Sequence, residues 1–154
     1  MATDSNGNII FGRYNVGLHN VGSYQVSGYP FLTGSAIADT KEEKISFPTV
    51  TKSITVKASS SLNSDTNTFG EMRIHFASAL DDTHNDIGVY TGHHYFVMDS
   101  DEDAMTFDVK CKEIYISALG DHCGFELYAS LTGIPTASMC TLTGSGITEQ
   151  GDEV

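Results

Sequence analysis

From Val50 to Ile134 the chain places apolar residues on every second position through a series of short segments. In Thr51-Lys52-Ser53-Ile54-Thr55-Val56-Lys57, Ile54 and Val56 share a face. In Glu71-Met72-Arg73-Ile74-His75-Phe76, the residues Met72, Ile74 and Phe76 share one face and charge occupies the other. Successive side chains of a strand point to opposite sides, so this pattern predicts a sheet with one dry and one wet face. The alternation returns in Met105, Phe107 and Val109, in Ile114 and Ile116, and in Phe125, Leu127, Ala129 and Leu131. Polar clusters separate the segments: loops at Ser59 to Thr68 and Leu80 to Gly92, and turns at Asp99 to Asp103 and Gly120 to Gly124. Strands at this cadence predict an all-β fold, an antiparallel β-sandwich or jelly roll. The expected core residues are Ile54, Val56, Ile74, Phe76, Phe107, Val109, Ile114, Ile116, Phe125 and Leu127. Ala36 to Lys44 is expected to contribute at most one helical turn, and Pro48 to mark an edge or a strand end.

Residues 1–34 differ from the rest of the chain. Glycines at 7, 12, 17, 22, 28 and 34 interrupt any long helix or strand, and between them lie Phe11, Tyr14, Tyr24, Tyr29 and Phe31. This much aromatic surface exceeds what an idle disordered tail carries. The expected organisation is an extended Gly/aromatic amino-terminal arm over 1–34, a β-sandwich domain over 35–134 and a Ser/Thr/Gly-rich acidic tail over 135–154. Tyr14, Tyr24, Tyr29 and Phe31 are the candidate partner-binding anchors, their burial requiring a second surface.

At 154 residues the chain is long enough to bury a core without metals or cross-links. Its net charge of -12 repels phosphate backbones and anionic bilayers, so neither nucleic acid nor membrane is expected as a partner. No run reaches the roughly 18 apolar residues of a membrane span. The amino terminus lacks the basic and apolar regions of an export signal. Cys111, Cys123 and Cys140 have neither disulfide-framework nor zinc-ribbon spacing, and reduced thiols are expected. Cys111 lies between two lysines, yet a small residue filling a strand position is the expectation there.

Candidate chemistry is sparse. Asp99-Ser100-Asp101-Glu102-Asp103 offers carboxylates to a calcium ion, but the loop positions that need glycine and glutamate hold Ala104 and Lys110. His93 and His94 are adjacent and would point to opposite faces of a strand, while His84 and His122 are scattered on loops. Ser145 lies between glycines without the strand-turn-helix setting of a nucleophile elbow. No catalytic residue, no metal site and no cofactor is expected, and the chain does not read as an enzyme.

Four runs bear a resemblance. Gly17-Leu18-His19-Asn20-Val21-Gly22-Ser23-Tyr24-Gln25-Val26-Ser27-Gly28-Tyr29-Pro30-Phe31-Leu32-Thr33-Gly34-Ser35 resembles the amino-terminal signature of small structural proteins of marine tailed phages, the cyanophages in particular. Phe47 to Val56, Phe107 to Ser117 and Leu127 to Ile134 resemble the same group, in the same order. The resemblance implies a virion component assembled in the bacterial host cytoplasm. Its expected role is a capsid decoration or cement protein that binds and stabilises the major capsid lattice, with the major capsid protein or other virion proteins as partners and a homo-oligomeric state. The alternatives are a neck or tail structural protein and, in another class, a carbohydrate- or receptor-binding β-sandwich module. The loops at Leu80 to Gly92 and Asp99 to Asp103 would be the contact surface of that module.

Overall fold

The computed structural model describes residues 17–25, 27–60, 69–77, 95–120 and 123–139. A short helical turn, α1 (Gly22–Gln25), precedes eight strands: β1 (Tyr29–Ile37), β2 (Glu42–Ser46), β3 (Thr49–Ser60), β4 (Glu71–His75), β5 (Phe96–Met98), β6 (Ala104–Phe107), β7 (Glu113–Leu119) and β8 (Cys123–Pro135). They form two four-stranded antiparallel sheets, ordered β1-β8-β3-β6 and β2-β7-β4-β5. The pairing is nested, first strand with last, second with seventh, third with sixth and fourth with fifth. One long double ribbon has therefore rolled over a core, which is the jelly-roll arrangement of a sandwich.

Alternation builds that core. Ile54, Val56 and Ala58 of β3 and Phe125, Leu127 and Ala129 of β8 face Met72 and Ile74 of β4 and Ile114, Ile116 and Ala118 of β7. Phe76, Phe107 and Val109, expected in the core, are only half-buried and pack against it. The reason is position: β6 is a sheet edge, and Phe76 follows the end of β4. There Phe107 makes ring contacts with Phe76 at 5.5 Å and Phe96 at 5.2 Å, plugging one side of the sandwich. The opposite side is closed by Phe31 edge-on to Phe47 at 5.4 Å. Strand β7 departs from simple alternation, because Tyr115 and Ser117 on its outer face are buried as well.

The expected boundary at residue 34 falls inside a strand. Tyr29–Ile37 pairs along its whole length with Cys123–Leu131, so the last residues assigned to the arm belong to the sandwich. The glycines expected there to interrupt regular structure serve close approach instead. A Cβ at Gly34 would lie 2.7 Å from the Phe125 carbonyl oxygen, and one at Gly28 would overlap Ser130 Oγ. Within Ala36 to Lys44, where the sequence allows at most one helical turn, β1 passes to β2 through a tight connection. Thr40 takes φ 59° there, and its N–H donates to the Ala118 carbonyl at 3.0 Å.

Candidate functional site

Two surfaces concentrate side chains with chemical or binding capacity. The first is the outer face of the β2-β7-β4-β5 sheet. Cross-strand register sets His75 beside Tyr115 and Arg73 beside Ser117. His75 is buried, with Nε2 2.7 Å from Ser117 Oγ and its ring 5.6 Å from that of Tyr95. The Arg73 guanidinium lies 4.3 Å from the centre of the Tyr95 ring, and Arg73 Nε donates to the Glu71 carboxylate. Burial, with a smaller push from Arg73, lowers the His75 pKa from 6.5 to about 4, so the imidazole is neutral at pH 7. Alongside, Lys44 Nζ meets Glu113 at 2.7 Å, and the Tyr115 hydroxyl donates to the same carboxylate at 3.2 Å. The hydrogen bond from Lys44 holds Glu113 below the ordinary carboxylate range, and the same bond raises Lys44. A serine hydrogen-bonded to a neutral histidine has the contact of a nucleophile and its base, but Ser117 is fully buried and a substrate has no approach to it.

The second surface is the outer face of the β1-β8-β3-β6 sheet together with its β1 edge, which no described strand pairs. Leu32 is 76% exposed and stands directly opposite Tyr128, which is 43% exposed. Thr55 continues the row from Tyr128 and bonds Thr106 across the strands at 2.9 Å. Tyr29, at the start of β1, is 70% exposed.

The sequence-predicted anchors divide between inside and outside. Tyr14 lies outside the described residues. Tyr24 serves the molecule itself: Lys110 Nζ sits 4.3 Å over its ring, and both Tyr24 and Lys110 donate to the Leu18 carbonyl, at 3.3 and 2.9 Å. Phe31 is half-buried and packs edge-on against Phe47 within the sandwich. Tyr29 alone of the described anchors points its surface outward. Leu32 and Tyr128 are not among the sequence-predicted anchors, although a signal for Leu32 is present: Phe31 and Leu32 are adjacent in a strand, so both cannot face the core.

The remaining candidates resolve locally. In the turn joining β5 to β6, Asp103 Oδ2 accepts the Ser100 N–H at 3.2 Å, while Glu102 takes φ 71° and pairs with Lys57. Among the described residues no three His, Cys, Asp or Glu side chains are grouped to hold a metal ion, and no helix is long and apolar enough to cross a membrane. His84, His93, His94, His122, Cys140 and Ser145 lie outside the described residues. Cys111 is a buried free thiol 3.4 Å from Thr51 Oγ1, and burial pushes its pKa up. Cys123 is also buried, and its thiol donates to the Glu71 carbonyl at 3.8 Å. A shallow cleft of about 290 Å³ lies where the arm meets β8 and β3, between Ser23, Ser27, Lys52 and Thr132.

Comparison with protein-family models, with curated proteins and with solved structures returned no match. The topology and the surfaces above rest on the strand pairings and side-chain contacts themselves.

Proposed function

We propose that the chain is a structural protein of a tailed-phage virion, a capsid decoration or cement protein that binds the major capsid lattice and stabilises it. The observation that carries a binding role is β1, a long uncharged strand whose outer edge no described strand pairs and whose outer face leaves Leu32 to solvent opposite Tyr128. Exposed apolar side chains in a contiguous row mark places where another protein sits. The virion assignment is supported by the four ordered runs that resemble phage structural proteins, which fall on α1 with β1, on β3, on β7 and on β8. Jelly rolls serve in viral capsids and equally in lectins and cupins, so the fold accommodates this role without selecting it. The acid excess suits a protein of the capsid exterior, since it repels the packaged genome.

Quantitative mass spectrometry of purified virions tests the proposal, together with binding to shells that lack the protein. A copy number in fixed ratio to the major capsid protein, and shells that resist heating once the protein is bound, are expected. A few copies per particle would move it to the neck or tail, and absence from virions would end the proposal.

A further inference from the structure

We infer that β1 is the site of self-association: two copies pair their β1 strands antiparallel across a two-fold axis centred on Thr33, joining two four-stranded sheets into one of eight strands. The four sheet edges are unequal. β5 and β6 are short, at three and four residues, and β2 carries Glu42, Glu43 and Lys44 within five positions. Short length, charge and proline are among the devices by which proteins keep edges from pairing. β1 is the longest of the four, nine residues without a charge, and its one such device is Pro30, the second residue of the strand.

The absence of charge selects the occupant. In a chain of net charge -12, most surfaces of a second copy repel, and β1 against β1 brings together the strands that carry no charge. The side chains are also self-complementary. Centred on Thr33, the register sets Leu32 of each copy opposite Gly34 of the other. Leu32 is 76% exposed, and Gly34 offers a bare stretch of backbone for it to cover. Laid over the cross-strand glycine, Leu32 withdraws part of its exposed apolar surface from water. Phe31 would face Ser35 on the inner side, where no like charges meet. A two-fold contact of this kind is closed, so it ends at a dimer instead of growing into a fibre.

This inference deepens the binding role proposed above by naming a partner for the β1 edge, and it is tested on the isolated full chain. Sedimentation should show a reversible species of twice the 16.6 kDa chain mass. Leu32→Glu, at a position exposed in the monomer, should leave the melting temperature unchanged and weaken the dimer at least about tenfold. Thr33→Cys should give an oxidised dimer more readily than Tyr29→Cys, because in this register the two Thr33 positions face each other. The two Tyr29 positions would be about 26 Å apart at the strand rise of about 3.3 Å per residue. A chain that stays monomeric at the highest concentration reached overturns the inference, as does Leu32→Glu dimerising like the wild type or Tyr29→Cys cross-linking better. A dimer that fails to bind shells upholds it and removes the virion reading. A monomer that binds them through β1 overturns it and leaves that reading in place.

Discussion

Thr51 is fully buried, and its hydroxyl pins the irregular end of β3. It donates to the Val109 carbonyl at 2.7 Å and accepts the Cys111 N–H at 3.0 Å, so two backbone groups of the facing segment depend on it. Replacing it by valine keeps the shape and leaves those groups unpaired, which should cost about 1–3 kcal/mol. Thr55→Val, whose hydroxyl faces solvent beside Thr106, should change stability by less than about 0.5 kcal/mol. Urea unfolding midpoints compare the two. The burial of Thr51 is not legible in the alternation, because register shifts between Thr49 and Thr51 and between Thr51 and Ser53 break the period and bury Val50 and Thr51 in succession. His75 escapes the pattern for a related reason. Alternation assigns it with Glu71 and Arg73 to the wet side, but Tyr95 and Ser117 pack against it there. Between pH 6.5 and about 4 the unfolded chain binds a proton at this position that the folded chain refuses. Its contribution is therefore complete above pH 6.5 and is lost as pH falls toward 4, by about 3 kcal/mol. Stability curves for the wild type and His75→Gln over that range should converge in acid by about this amount. Parallel curves would show that His75 titrates as it does in the unfolded chain.

At the scale of elements, strand existence and facing are legible wherever the period of two holds, as in Ile54 with Val56, Met72 with Ile74, and Phe125 with Leu127. The arm is legible only in part. Its glycines suggest a segment without regular structure, whereas Gly28 and Gly34 are where β1 and its approach come closest to β8. What the composition does not convey is that a strand tight against its neighbour has the same need for glycine as a flexible tether. Tyr24 and Lys110 then hold the helical turn to the connection between β6 and β7. Two truncations separate these roles. Removal of residues 1–27 should leave a cooperative unfolding transition, since every strand remains. Removal of residues 1–37 takes away β1, exposes one side of β8 and uncovers Phe47, and should abolish that transition. A domain that melts normally without residues 1–37 would mean that β1 is dispensable.

For the whole molecule, the nested pairing makes the first strand the neighbour of the last, so the sandwich is complete only when the chain has been made through β8. Long-range pairing of this kind predicts slow folding. The two-sheet class is readable from period and turn spacing. The order of strands is not, because every strand here carries a similar alternating code and nothing in a single segment says which other it meets. The same limit hides the binding surface: Leu32 and Tyr128 are far apart in sequence and become one patch only through the β1–β8 register. The central claim, that association takes place at the outer edge of β1, is tested most directly by hydrogen exchange. The full-length protein would be compared dilute and then associated, by its own concentration or on shells. The account predicts that slowing of exchange is concentrated in Tyr29–Ile37, at amides that face away from β8. Slowing confined to other strands or to the turns at 38–41 and 99–103, with β1 exchanging as fast as before, would contradict it.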